Sequence, residues 1–117
     1  MIISVINQKG GTGKSTIACN LAVGFKLKGY DACLVDSDKQ GTTAMFRSYR
    51  KMQESLVQIP TFQILQNSID DDVPTLNYNP VIIDVGGHDS QVFRGAMACS
   101  DVVLVPMQPS GPDLWGA

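Results

Sequence analysis

The stretch NQKGGTGKST, residues 7–16, decides the fold of this chain. It follows the apolar run IISVI and precedes a segment with helical periodicity, which is the strand–loop–helix context of a phosphate-binding loop. Glycines let successive backbone N–H groups face one concavity, and the N-terminus of the following helix favours an anion there. Lys14 can then reach the β- and γ-phosphates of a nucleotide, and the Ser15 hydroxyl can bind Mg²⁺.

The loop carries a second lysine that a simple phosphate loop does not need. The common spacing G-x-x-x-x-G-K-[ST] fails, because Gln8 stands where its first glycine should be. The pattern that fits is K-G-G-x-G-K-[ST], with Lys9 five residues before Lys14. A glycine-rich turn with incidental lysines is the alternative interpretation, and so many fixed positions rarely coincide by chance.

Short apolar runs elsewhere in the chain predict a parallel sheet. Their residues are apolar at successive positions, which is typical of strands covered on both faces. The runs are residues 2–6, 32–36, 81–85 and 102–106. Residues 61–65 form a weaker fifth strand, which we expect near an edge of the sheet.

Three segments, residues 14–28, 42–57 and 89–99, have the apolar spacing of helices. Gly29 follows the first at a helix-ending position. The side chains expected to face inward are Ile17, Leu21 and Phe25 in the first helix and Val92, Phe93, Ala96 and Met97 in the third. Residues 67–80 are predicted to form a loop or a broken short helix.

This alternation of strands and helices predicts an α/β fold with a doubly wound, mainly parallel sheet flanked by helices. We expect residues 1–117 to form one domain. The segment PSGPDLWGA has the features of a helix start, and the strand before it would be bare without a helix to cover it. We therefore expect the domain to be the N-terminal part of a longer one, or something else to cover that strand.

Composition excludes several classes of protein. Hydrophobic residues make up 44% and charged residues 17%, which is ordinary for a globular protein, and the net charge of −2 gives no global field for nucleic acid. No run approaches the roughly 18 apolar residues of a membrane span. Cys19, Cys33 and Cys99 lack metal-ligand spacing, and we expect them buried and reduced in a cytoplasmic protein.

Two carboxylates end predicted strands. Asp36 and Asp84 lie at the carboxyl ends of apolar runs, where ligands bind in open α/β sheets. Mg²⁺ prefers carboxylate oxygens and keeps several waters, so these side chains are candidates for its site. The alternative is that each is a solvated or helix-capping loop carboxylate.

The loop resembles the deviant Walker A motif of the ParA/MinD family of ATPases. LVDSDKQG, residues 34–41, resembles the family's V-D-x-D-x-Q-G switch I segment, and VIIDVGG, residues 81–87, resembles its Walker B strand and switch II. VVLVPMQPS, residues 102–110, is similar to the strand and loop that follow. The resemblance runs through essentially the whole chain, covers the first half of a typical member, and is greatest to plasmid and chromosome partition proteins.

The resemblance implies a role for each site residue. Lys14 would contact the phosphates of ATP, Lys9 would cross to the nucleotide of a second subunit, and Asp38 would position the attacking water. The implied nucleotide-binding residues are Gly10, Gly11, Thr12, Gly13, Lys14, Ser15 and Thr16. The implied Mg²⁺ residues are Ser15, Asp36 and Asp84.

The function that the resemblance implies is an ATP-binding, slowly hydrolysing partition ATPase. It would form an ATP-dependent homodimer on non-specific DNA, and a centromere-binding partition protein would act as its partner. It would be cytoplasmic, associated with the nucleoid and without membrane contact. Alternatives are a MinD-type membrane-positioning ATPase, which needs a basic amphipathic helix, a biosynthetic P-loop enzyme, an iron-protein reductase and a non-catalytic remnant.

Overall fold

The computed structural model describes residues 1–6, 14–37, 58–64, 69–86 and 90–106, with the side chains of Ser15 and Ser90 left out. Its strands are β1 (Ile2–Ile6), β2 (Cys33–Asp36), β3 (Thr61–Gln63), β4 (Val81–Val85) and β5 (Val102–Leu104). Its α-helices are α1 (Lys14–Leu27), α2 (Ile69–Asp72) and α3 (Ser90–Cys99), and a 3₁₀ turn, Val73–Thr75, follows α2. The predicted helix over residues 42–57 lies outside the described residues.

The strands form one parallel sheet in the order β3-β2-β4-β1-β5. This architecture confirms the predicted doubly wound α/β class, and β3 lies at an edge as expected. The predicted bounds of the strands over 32–36 and 102–106 were too wide by one and two residues, and the strand predicted over 61–65 ends at Gln63. β4 lies between β2 and β1, so both of its edges are hydrogen-bonded.

Alternate side chains of the central strands enter two separate hydrophobic cores, because successive residues of a strand point to opposite faces. The core under α1 contains Ile3, Val5, Ala18, Cys19, Ala22, Leu34, Ile59 and Ile82. The core on the other face contains Ile6, Cys33, Val35, Ile69, Val73, Val81, Ile83, Val85, Val92 and Ala96. The fully apolar runs in the sequence are thus explained by burial on both faces.

α1 meets the sheet through small side chains. Ala18, Cys19 and Ala22 are buried, while the predicted inward residues Ile17, Leu21 and Phe25 are partly buried and pack against the same core. Small residues let the helix axis approach the sheet closely, and the larger side chains then fill the space beside it.

α1 ends in a Schellman motif. The N–H of Tyr30 donates to the carbonyl of Phe25 and that of Gly29 to the carbonyl of Lys26, each at 3.0 Å. Gly29 has φ +93°, a conformation that side-chain-bearing residues adopt only with strain. The rings of Phe25 and Tyr30 meet edge to face at 5.6 Å and supply the hydrophobic contact of this motif.

The predicted inward orientation of one side chain in the third helix, α3, was wrong. Val92 and Ala96 are buried and Phe93 is partly buried, but Met97 is 47% exposed. A Cβ at Gly95 would lie only 2.6 Å from the side chain of Ile69, so α2 packs against α3 at that glycine. This contact turns the stripe through residues 92 and 96 inward and leaves Met97 facing solvent.

The remaining segments agree with the sequence in outline. Residues 67–80 contain a short helix broken into a 3₁₀ turn, which was one of the two predicted alternatives.

Cys19 and Cys33 are buried free thiols, whereas Cys99 is only partly buried, against expectation. Burial, and to a smaller degree the charge of Asp31, raises the pKa of Cys33 to about 12. None of the helices in the described segments is long and apolar enough to cross a membrane.

We expect Gly29→Ala to lower the free energy of unfolding by about 1–2 kcal/mol, because alanine must adopt the left-handed conformation there. Nothing lies within 4 Å of a Cβ built at this position, so the cost is conformational and not steric. Gly24→Ala is the matched control, since Gly24 lies inside α1 and is equally open. That control should stabilise the protein by about 0.5–1 kcal/mol. Urea unfolding followed by circular dichroism measures both, and two changes of the same sign would contradict this account.

Candidate nucleotide-binding site

The structure confirms the strand–loop–helix context of the phosphate loop. β1 ends at Ile6 and α1 begins at Lys14, so the two elements bracket residues 7–13. The loop residues Lys9, Gly10, Gly11, Thr12 and Gly13 lie outside the described residues, as does Asp38. Their roles stay predictions. On α1, Thr16 is exposed in the first turn.

The strand ends bring the two predicted carboxylates together. Asp36 is the last residue of β2, and it is the direct partner of Asp84 in the parallel register of β2 with β4. Both share a face with Leu34 and Ile82, which pack under α1. Asp36 is 3% exposed and Asp84 is fully buried. Two carboxylates are therefore held side by side at the carboxyl ends of two interior strands, near the start of α1.

Lys14 reaches across to one of these carboxylates. Its Nζ donates to Oδ1 of Asp84 in an ion pair, and the two side chains are 12% and 0% exposed. A cation in the first turn of a helix is opposed by the helix dipole, so Lys14 is not placed there to stabilise α1. Its ammonium instead compensates a buried negative charge at the end of β4.

Ser37 is a site residue that the sequence analysis missed. Its backbone N–H and its hydroxyl both donate to the carbonyl oxygen of Asp84, at 3.1 and 2.9 Å, and the residue is 5% exposed. On the other side, the carbonyl of Asp36 accepts from the N–H of Ile64 at 2.9 Å. Ser37 thus ties the end of β2 to the end of β4. The only signal in the sequence is a small hydroxyl residue directly after a strand.

The carboxylates at the carboxyl ends of β2 and β4 are suitable ligands for Mg²⁺. Within the segments that the structure describes, no three His, Cys, Asp or Glu side chains are grouped so as to hold a metal by themselves. Two adjacent carboxylates are what remains, and Mg²⁺ is usually bound by one or two carboxylates together with substrate phosphates and waters. Asp36 and Asp84 therefore fit an ion that arrives with a nucleotide, in contrast to a permanent all-protein metal site.

Comparison with known proteins identifies the family. A sequence model described as the CobQ/CobB/MinD/ParA nucleotide binding domain matches residues 3–105. The chain belongs to this family. The matched residues run from the second residue of β1 to just beyond β5, so they include all of the described sheet except Ile2. Membership makes this chain a P-loop nucleotide-binding domain of the ParA/MinD type, as the sequence predicted.

Two of the curated relatives that match nearly the whole chain are named for carboxysome distribution and as ParA. Maintenance of carboxysome distribution protein A from Halothiobacillus neapolitanus is 31% identical over 98% of this chain and 54% of its own length. Protein ParA from Rhizobium radiobacter is 27% identical over 96% of the chain and 50% of its own length. The chain thus spans about half the length of the curated relatives it matches.

Solved structures confirm the fold. A plasmid partition protein from Borrelia burgdorferi, solved with AMPPNP, superposes with a TM-score of 0.68 at 19% identity, over 98% of this chain and 64% of that one. MinD from Pyrococcus horikoshii, solved with Mg-ADP, gives 0.70 at 17% identity, over 99% and 61%. Cobyrinic acid a,c-diamide synthase from Mycobacterium smegmatis, solved with ADP and magnesium, gives 0.74 at 18% identity, over 92% and 59%. Nucleotide and magnesium binding recur in proteins of this fold.

We expect Ser37→Ala to lower the free energy of unfolding by about 1 kcal/mol, because it removes a buried hydroxyl hydrogen bond while the backbone N–H bond stays. Thr75→Ala is the control: its hydroxyl donates to the Asp72 carbonyl at 2.6 Å, but in an exposed position where water can replace it. Chemical unfolding of both variants makes the comparison. An equal loss for the two would show that burial of the Ser37 bond adds nothing.

Proposed function

We propose that this protein is a partition-type ATPase, which binds ATP, hydrolyses it slowly and forms an ATP-dependent homodimer. The observation that carries the proposal is that Lys14, Asp36 and Asp84 meet at the carboxyl ends of β2 and β4. Lys14 belongs to the K-G-G-x-G-K-S sequence and is the first residue of α1, so a helix N-terminus and an ammonium group lie beside a pair of carboxylates. Such an arrangement suits the phosphates of a nucleotide and their counter-ion.

The residues of the site divide the chemistry between them. The backbone N–H groups of the loop, residues 10–13, would hold the phosphates together with Lys14. Ser15, Asp36 and Asp84 would hold Mg²⁺, which neutralises phosphate charge when it is bound. Asp38 lies two residues beyond the end of β2, and in the proposal it orients the water that attacks the terminal phosphate.

The second lysine is the reason to propose a dimer. Lys14 already serves the nucleotide from its own subunit, so Lys9 has no necessary role within a single chain. If two chains face each other across two ATP molecules, Lys9 of each can neutralise charge on the other's phosphates. This is the work that an arginine supplied in trans performs in other phosphoryl-transfer enzymes.

The proposed cargo is plasmid or chromosomal DNA. Two curated relatives with 27% and 28% identity are named Protein ParA and Chromosome partitioning protein ParA. We propose that the ATP-bound dimer binds DNA non-specifically and that a centromere-binding partner protein stimulates hydrolysis and release. The protein would then be cytoplasmic and associated with the nucleoid. The 117 residues carry a net charge of −2, so any contact that they make with DNA would need a local basic surface.

The dimer is tested with Lys9→Ala. With Mg²⁺ and a slowly hydrolysed ATP analogue, light scattering should give a dimer mass for the parent protein and a monomer mass for Lys9→Ala. Both should stay monomeric with ADP. Calorimetry must show that the variant still binds nucleotide, because Lys14 remains in place. A Lys9→Ala protein that dimerises like the parent would refute the role proposed for Lys9.

DNA binding is tested on the ATP-bound protein. We expect it to bind double-stranded DNA of unrelated sequences with similar affinity, and this affinity should fall steeply as salt rises from about 50 to 200 mM. The ADP-bound protein should bind at least about tenfold more weakly, since a dimer presents twice the contacts of a monomer. If the ATP-bound full-length protein does not bind DNA, the partition function is wrong, and anionic lipid vesicles become the next surface to test.

A further inference from the structure

The ammonium group of Lys14 has two different anions as candidate partners. In the structure its Nζ forms an ion pair with Oδ1 of Asp84. In the proposed function it contacts the phosphates of the nucleotide. Asp84 is fully buried beneath α1, so its negative charge cannot turn to water for compensation when Lys14 moves. The phosphates and the carboxylate therefore compete for one ammonium group.

We propose that the Lys14–Asp84 ion pair is a latch that a nucleotide must open, and that opening it makes the binding of nucleotide and of a divalent cation depend on each other. The inference rests on the proposed nucleotide binding and names how that same site is regulated. Without a divalent cation, the nucleotide draws Lys14 away from a buried carboxylate and loses affinity by the cost of doing so. With Mg²⁺ present, a second positive charge is available to Asp84, and that cost is removed.

The register of the sheet makes the latch a property of this particular carboxylate. Asp36 stands beside Asp84 as its direct strand partner and shares its face, but the ion pair with Lys14 is made by Asp84. The carbonyl oxygen of Asp84 is also held by Ser37, so the backbone that carries this carboxylate is anchored.

The energetic consequence is a reciprocal coupling. If Mg²⁺ raises the affinity for nucleotide by some factor, nucleotide must raise the affinity for Mg²⁺ by the same factor. In the latch, part of that factor comes from the protein's own ion pair and not from contact between the metal and the phosphates. Removing the carboxylate should therefore strengthen metal-free nucleotide binding. A carboxylate that acted only as a metal ligand would have no effect on binding when metal is absent.

The experiment measures ADP affinity by calorimetry on the intact protein, in EDTA and then in excess Mg²⁺. We expect Asp84→Asn to bind ADP about tenfold more tightly than the parent in EDTA, and to gain correspondingly less from Mg²⁺. Asp36→Asn measures the general effect of removing one carboxylate near phosphates, and its change in EDTA should be clearly smaller. Asp31→Asn is the distant control, since it breaks an exposed ion pair with Lys26 and should leave ADP affinity unchanged.

A second measurement needs no nucleotide. In nucleotide-free protein, the losses in unfolding free energy from Lys14→Met and Asp84→Asn should be non-additive in a double-mutant cycle, because each single change already breaks the same pair. Additive losses would show that the pair is not formed and would overturn the latch. So would an Asp84→Asn protein whose affinity for ADP in EDTA equals that of the parent or of Asp36→Asn.

The two proposals fail in different ways. A parent protein that binds ADP in Mg²⁺ but shows none of the differences among the variants keeps the proposed function and loses the latch. A parent protein that binds no ADP in either buffer refutes the proposed nucleotide binding, and the latch that rests on it is refuted as well.

Discussion

The parallel pairing of β4 with β2 on one edge and β1 on the other is the constraint on which the site depends. All residues of β4 are buried, so its apolar side chains must fill the cores on both faces of the sheet. A slip of one residue would exchange the two faces and move Asp84 away from α1 into the opposite core, so the observed register is the one that keeps this carboxylate beside Lys14. In that register Asp84 falls beside Asp36 and beneath α1. The position of the two carboxylates is thus set by the strand pairing that also builds the core.

A carboxylate buried by the fold creates an electrostatic requirement that the rest of the site meets. Charge that is removed from water is costly unless a partner compensates it. Lys14 supplies that partner from the first residue of α1, although the helix dipole opposes a cation there. Ser37 holds the backbone of the same residue with two hydrogen bonds. The first turn of α1 and the carboxyl end of β4 are therefore joined by a buried ion pair.

Sequence reasoning was most successful where burial leaves a simple pattern. The apolar runs at β1, β2 and β4 and the glycine that ends α1 could be read directly, because two-sided burial and a left-handed backbone each restrict the residue types allowed. It failed at Met97 and at Ser37. The orientation of Met97 depends on the close approach of Ile69 to Gly95, which is a contact between distant segments. The Ser37 hydroxyl donates to the carbonyl of Asp84, and no local sequence pattern predicts a hydrogen bond to a strand so far along the chain.

The sequence by itself determined the class of fold and the family, since these depend on local spacing and on residue types that few other structures permit. Only the tertiary structure decided the order of the strands, the pairing of Asp36 with Asp84, and the choice of Asp84 as the partner of Lys14. The physical reason is that a sequence shows which residues must be buried or must bind an anion. Which of them meet is set by the packing of helices and strands that are distant in the chain.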